Sequence, residues 1–209
     1  MQRLLTGTVR LAGFEGEWEE VKMGKLFERK KATTTDSDVP VYTISSTQGF
    51  MTQKDKFNRV IAGTSLKKYI YLSEGDFSYN KGNSKTYPYG CIFNFTDKKG
   101  VVPFVYISFR SKVQLDTDFY RFFFKAGLLN RQLKRIISSG ARSDGLLNVN
   151  PTAFFKCTVP QPMFEEQQKI GAILNASEHE LQLLYQKLAG LREQQRGLMA
   201  RLLTGAVRV

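Results

Sequence analysis

The chain has 209 residues, 42% hydrophobic and 24% charged, with a formal net charge of +12. That is the composition of a folded globular protein, and it excludes a disordered tail, a collagen-like repeat and a disulfide-stapled miniprotein. No apolar run is long enough to span a bilayer, the opening MQRLLTGTVR lacks the apolar core of a signal peptide, and Cys91 and Cys157 stand far apart without ligand spacing, as in a cytoplasmic protein whose buried thiols stay reduced.

In chain order, the first eleven residues, Met1-Gln-Arg-Leu-Leu-Thr-Gly-Thr-Val-Arg-Leu11, nearly repeat as Met199-Ala-Arg-Leu-Leu-Thr-Gly-Ala-Val-Arg-Val209, with eight of eleven positions identical. Two copies laid head to tail would join without a seam, as one period of a two-unit protein would. Gly7 and Gly205 fit helix C-caps after the Leu-Leu pairs. Residues 12–17 carry two glycines and read as a linker. The globular body is expected to start at Trp18, with this single tryptophan at the edge of the core.

Residues 29–38 form a polar stretch opening on three consecutive bases, Arg29-Lys30-Lys31, either a solvated loop or a phosphate contact. Residues 39–109 are β-rich, with strands expected at 41–44, 57–61, 69–72, 77–79, 91–95 and 101–109. Between Tyr79 and Cys91 lies Asn80-Lys-Gly-Asn-Ser-Lys-Thr-Tyr-Pro-Tyr-Gly90, polar, basic and aromatic at once. Lysines can hold phosphates, Asn and Ser can reach base edges, and tyrosines can pack on sugars or bases. The spacing of apolar residues predicts one amphipathic helix over 119–137, introduced by Leu115-Asp-Thr-Asp118. A small-residue loop, Ser138-Ser-Gly-Ala-Arg-Ser-Asp-Gly145, then exposes Arg142, and residues 157–160 form a last strand before Pro160 and Pro162.

From Met163 the pattern changes. Ile170, Leu174, Ser177, Leu181, Leu184, Leu188, Leu191, Gln195, Leu198 and Leu202 follow each other in unbroken steps of four and three. A 3.5-residue period held that long is the seam of a coiled coil, and it needs a partner helix. From Met163 onward there are five acids and six bases, so +11 of the net +12 sits in the first 162 residues. A basic body on a nearly neutral rod points to a polyanion, nucleic acid first. The lone His179 has no metal-ligand neighbours, and the chain has no phosphate-binding glycine loop, no Ser-His or Cys-His arrangement and no acidic nuclease cluster. Binding is therefore the better reading than catalysis.

Several segments resemble the DNA-specificity subunit of type I restriction–modification systems. Val159-Pro-Gln-Pro-Met-Phe-Glu-Glu-Gln-Gln-Lys-Ile-Gly-Ala-Ile-Leu174 is similar to the start of that family's spacer helix, although Gln161-Pro-Met-Phe stands where Pro-Pro-Leu is more usual. Arg201-Leu-Leu-Thr-Gly205 resembles the end of that helix, and Gly13-Phe-Glu-Gly-Glu-Trp18 the junction into a target-recognition domain. Glu74-Gly-Asp-Phe-Ser-Tyr-Asn80 and Gly140-Ala-Arg-Ser-Asp-Gly145 match weaker family patterns.

The resemblance implies an α+β fold. Residues 1–17 would be an end-of-spacer repeat and linker, 18–160 a β-rich target-recognition domain with packed helices, and 161–209 the coiled-coil spacer helix and tail. It also implies half of a subunit that normally carries two recognition domains and two antiparallel helices. The expectation is then an antiparallel homodimer joined along the seam, each domain reading one half of a split double-stranded DNA target. Methyltransferase subunits would dock on the rods and flip the target base. S-adenosylmethionine would belong to those partners, ATP and Mg to a restriction subunit, and none of them to this chain. Residue type and loop position nominate Lys30, Lys31, Thr47, Gln48, Lys81, Asn83, Ser84, Lys85, Tyr87, Arg142 and Ser143 as DNA contacts. The rival readings are a self-contained DNA-modifying enzyme, a coiled-coil adaptor that ignores DNA, and a single-stranded RNA binder.

Overall fold

The computed structural model describes residues 1–36, 38–45, 48–54, 69–82, 87–137 and 146–204. The expected strand at 57–61 lies outside them. The core is built on a four-stranded antiparallel sheet in the order β2 (Phe27–Arg29), β9 (Ile107–Ser111), β6 (Phe77–Asn80), β7 (Cys91–Asn94). All four residues of β6 are buried, because its two faces carry different chemistry. Phe77 and Tyr79 join the aromatic core, whereas Ser78 hydrogen-bonds the Ser108 hydroxyl at 2.8 Å.

Around Phe27 the rings of Phe77, Phe109 and Tyr120 stand edge-on at 5.3–5.9 Å, the geometry that places a positive ring edge on a negative face. A smaller cluster, with Tyr42, Ile70, Phe95 and Val102, fills the space between two strand pairs: β3 (Tyr42–Ser45) with β4 (Gly49–Thr52), and β5 (Tyr69–Ser73) with β8 (Lys99–Pro103). β1 (Glu19–Lys22) pairs with β10 (Thr158–Gln161) and so brings the start of the body to the root of the rod.

Two elements differ from the sequence expectation. The stretch 101–109 is split by a turn at Pro103–Tyr106, and its halves serve different sheets. The helix expected over 119–137 is two helices, α3 (Thr117–Lys125) and α4 (Asn130–Ile136). Gly127 sits between them at φ +69°, a left-handed conformation that ends a helix, and helical apolar spacing on both sides conceals it. Asp116 caps α3 as its position predicts, accepting from the Phe119 N–H at 2.7 Å. Short helices α1 (Gln2–Leu5), α2 (Met23–Leu26) and α5 (Pro151–Phe154) complete the body.

The N-terminal segment is more than a linker. Leu5 is fully buried in the main core, and the Arg10 guanidinium grips both oxygens of Glu166 at 2.8 Å. Trp18 Nε1 donates to the same carboxylate at 2.9 Å.

Glu166 lies in the first turn of α6 (Phe164–Leu203), a single helix of 40 residues, about 60 Å at 1.5 Å per residue. Its first turns are clasped to the body. Gln167 accepts from the Asp116 N–H, Asn175 bonds Asp118 and Arg121, and Glu178 accepts from Arg121 and Lys125. Burial works against ionisation of Glu178, but the two cations outweigh it and hold its carboxyl below the usual range.

The exposed apolar row is therefore shorter than the heptad pattern implies. Ile170 and Leu174, expected to lie in it, are 0% and 6% exposed in the domain's own core. The α3 packing takes the first two seam positions because they fall on the clasped turns. Ser177 is exposed and donates to the Ile173 carbonyl. Beyond it Leu181, Leu184, Leu188, Leu191, Leu198 and Leu202 are 43–60% exposed, and Gln195 lies exposed in the same row. Among the described residues no helix is long and apolar enough to cross a membrane.

Close approach of α6 to α3 depends on Gly171. A Cβ there would lie 2.6 Å from Asp116 Oδ1 and 3.2 Å from Asp118 Cβ. Gly171→Ala is expected to push the capping carboxylate away from Phe119. Overpacking together with the lost cap should cost about 2–3 kcal/mol, read as a lower denaturant midpoint with unchanged slope.

Candidate nucleic-acid interface

The nominated contacts other than Lys30 and Lys31 come from three loops far apart in sequence: 45–48, 81–87 and 138–145. Their roots meet at Asn80. Its side-chain N–H donates to the Ile44 carbonyl at 3.3 Å, and its Oδ1 accepts from the Gly82 N–H at 2.8 Å. One residue on, the Lys81 carbonyl accepts from the Leu147 N–H at 2.9 Å. The ends of the third loop are held by the bridge Ile137↔Val149. Thus the last residues of β3, the start of the β6–β7 loop and the far end of the 138–145 loop are tied at one edge of the domain.

Asn80 is 6% exposed, and its amide fills both roles only in one orientation. Asn80→Ala is expected to leave the Ile44 carbonyl and the Gly82 N–H without their partner. That should cost about 1–3 kcal/mol and loosen DNA selectivity more than total DNA binding, measured as the affinity ratio between a selected and a scrambled duplex.

Of the nominated residues, Thr47, Asn83, Ser84, Lys85, Arg142 and Ser143 lie outside the described residues. Lys31 and Gln48 are exposed. Lys81 is half-buried at the loop root, and Tyr87 packs partly buried against the smaller core cluster, which leaves its ring less available than an open loop would.

Lys30 is a correction. Its ammonium is ion-paired with Asp76, with side chains only 10% and 5% exposed, and it lies 5.7 Å from the centre of the Tyr71 ring. A charge turned into the sheet neutralises a buried carboxylate and is not presented to a phosphate. Asp76 itself closes the turn 73–76, where Gly75 has φ +86°, and its Oδ2 accepts from the Ser73 N–H. The stretch Glu74-Gly-Asp-Phe-Ser-Tyr-Asn80 is thus structural from its turn to Asn80.

Sequence reading missed α4. Arg131, Lys134 and Arg135 are exposed at i, i+3 and i+4 on one face, while Leu133 is buried and Gln132 is tied to Thr158. This cationic face leads directly into the 138–145 loop. Expecting one long amphipathic helix hid it, because the break at Gly127 turns α4 separately.

Burial holds the buried phenol and thiol of β6 and β7 in their neutral forms. Burial raises the Tyr79 phenol above its ordinary value and pushes the Cys91 thiol up to about 11. Tyr79 donates its hydroxyl to the Tyr89 carbonyl at 2.7 Å and so shapes the β6–β7 loop. Among the described residues no three His, Cys, Asp or Glu side chains are grouped to hold a metal.

The family model for the type I restriction modification DNA specificity domain matches residues 15–193, most of the chain. The chain belongs to that family. It is accordingly a specificity domain and not a catalytic one. The crystal structure of the HsdS subunit from Thermoanaerobacter tengcongensis is similar, with a TM-score of 0.52 at 13% identity over 96% of this chain and 49% of that one. At that identity the likeness is one of fold, and the chain spans about half the length of the HsdS subunit it matches. A comparison with curated proteins finds no match. Within this specificity domain, the body holds α4 and the roots of the three loops, and the 40-residue helix α6 leaves from the clasped root.

Proposed function

We propose that the body of this specificity domain reads one short half-site in double-stranded DNA, and that its rod pairs antiparallel with that of a second copy. The observation that carries the reading is the meeting at Asn80 and Lys81 of the roots of three loops whose sequences are rich in DNA-contacting residue types, on a body holding +11 of the net charge. Exposed cations hold phosphates and set the register, and the loops reach base edges. The leucine row supports pairing: each half-exposed leucine that becomes buried contributes on the order of 1 kcal/mol.

In this reading methyltransferase subunits dock on the paired rods in the cytoplasm, and a restriction subunit joins the complex. S-adenosylmethionine, ATP and Mg act in those subunits, where they supply methyl transfer and DNA translocation and cleavage. The chain's own part is to position them.

Fluorescence anisotropy with a labelled duplex across a salt series tests the DNA reading. Binding should weaken steeply with salt. Lys31→Ala and Arg135→Ala should each lower the slope of log K against log salt by about 1. Lys30→Ala should instead lower stability and leave the slope unchanged. Salt-independent binding, or equal slopes in all variants, would overturn the reading.

A further inference from the structure

Residues 1–6 and 199–204, the described part common to the two copies of the terminal repeat, close their helices in the same way but have opposite surroundings. In the first, Thr6 closes α1 with its N–H and its Oγ1 both bonded to the Gln2 carbonyl at 3.0 Å. In the second, Thr204 closes α6 in the same way on the Ala200 carbonyl, at 3.1 and 2.8 Å. Leu5 is 0% exposed in the core, whereas its counterpart Leu203 is 83% exposed, the most of any large apolar residue described. Gly7 lies where a Cβ would come within 3.1 Å of the Trp18 ring, and Arg10 reaches the fully buried Glu166 and lies over the Trp18 ring at 5.3 Å. The second copy carries the same residues in the same order: Leu203, Thr204, Gly205 and Arg208.

A seat formed by Glu166, Trp18 and α3 is therefore already shown holding this peptide sequence. We propose that the seat also accepts residues 199–209 of a second copy of this chain in exchange for residues 1–11, with Leu203 in place of Leu5 and Arg208 in place of Arg10 on Glu166. The proposal rests on the antiparallel homodimer, since antiparallel rods carry the end of each helix toward the root of the other, where the seat lies. Exchange covers the exposed Leu203 and fastens each rod tip to the partner's body. Cis and trans segments compete on equal chemistry, and the balance is set by their effective concentrations at the seat.

Two arms test this. In the full-length chain, benzoylphenylalanine replaces Leu203, and copies grown in ¹⁴N and ¹⁵N are mixed before irradiation. The expected cross-links join position 203 to Trp18 or α3 of the other isotopic copy. A dimer by light scattering whose cross-links from position 203 reach only the partner's rod would overturn the exchange. In the second arm, a fluorescent peptide of residues 197–209 is titrated against the native chain and against Arg10→Glu, which weakens the cis segment and leaves Glu166 in place. Binding to Arg10→Glu should be about tenfold tighter than to the native chain, and should be lost when the peptide's Arg208 is changed to Glu. No binding, or equal binding of both peptides, by a variant that keeps the native circular-dichroism signal overturns the proposed seat; if Arg10→Glu does not fold, the cross-linking arm, which uses the intact seat, decides. Peptide binding by a chain that light scattering shows to be a monomer would reject the homodimer and keep the seat.

Discussion

Replacing Leu184 and Leu188 together by aspartate should halve the mass seen by light scattering, from a dimer to a single 23.8 kDa chain, without loss of helix signal. Both leucines are half-exposed in the isolated chain, at 54% and 43%, and neither touches the body's core, so folding does not depend on them. In a symmetric pair every substitution counts twice. Four lost leucines, each replaced by a charge that must be desolvated in the seam, weaken association by at least about 5 kcal/mol, more than a thousandfold. The control is Ile170→Asp. Ile170 obeys the same heptad but is buried in the domain, so this change should unfold the root of the rod. If the aspartate pair leaves the mass unchanged, the leucine row is not the dimer contact.

Glu166→Ala should lower stability markedly by breaking the clasp at the root. The carboxylate is fully buried and joins three parts of the chain: Arg10 of the N-terminal segment, Trp18 at the start of the body, and the first turn of α6. Removing it leaves the Trp18 indole N–H without its acceptor and takes from Arg10 its carboxylate, leaving it the Glu15 and Gly16 carbonyls. Because the Arg10 side chain is 21% exposed and can turn to water, the cost falls at the lower end of the range for a broken buried pair, about 3 kcal/mol. For a chain of this length that lowers Tm by roughly 6–12 °C. Glu166→Gln keeps an acceptor for Trp18 and should lose about half as much. A Tm within about 2 °C of the native chain for Glu166→Ala would show that the clasp contributes little.

How much of this was legible in the sequence depends on whether the signal is local. Strand β5 (Tyr69–Ser73) alternates buried and half-buried positions, and the rod carries its period in a single stretch, so both are readable from neighbours alone. Gly127 was visible as a residue, but equal apolar spacing on either side of it outweighed one glycine. The fates of Lys30 and Ile170 are long-range facts. The buried Asp76 that captures Lys30 stands 46 residues away, and the core that takes Ile170 is assembled from the whole body. The same holds for the candidate interface: residue type nominated the loops, but only the fold shows that Asn80 ties Ile44 and Gly82 while Lys81 meets Leu147. The cationic face of α4 was missed because the break at Gly127, which makes α4 a helix of its own, does not show in the apolar spacing.

The central claim is that one domain reads one half-site and that two antiparallel rods hold two such domains. Sequencing the DNA retained from a randomised duplex pool by the full chain, in the presence of the family's modification subunits, tests it most directly. The account predicts one short motif occurring as two inverted copies at a fixed spacing. Recovery of unenriched DNA, or of a single ungapped motif or a direct repeat, would contradict it.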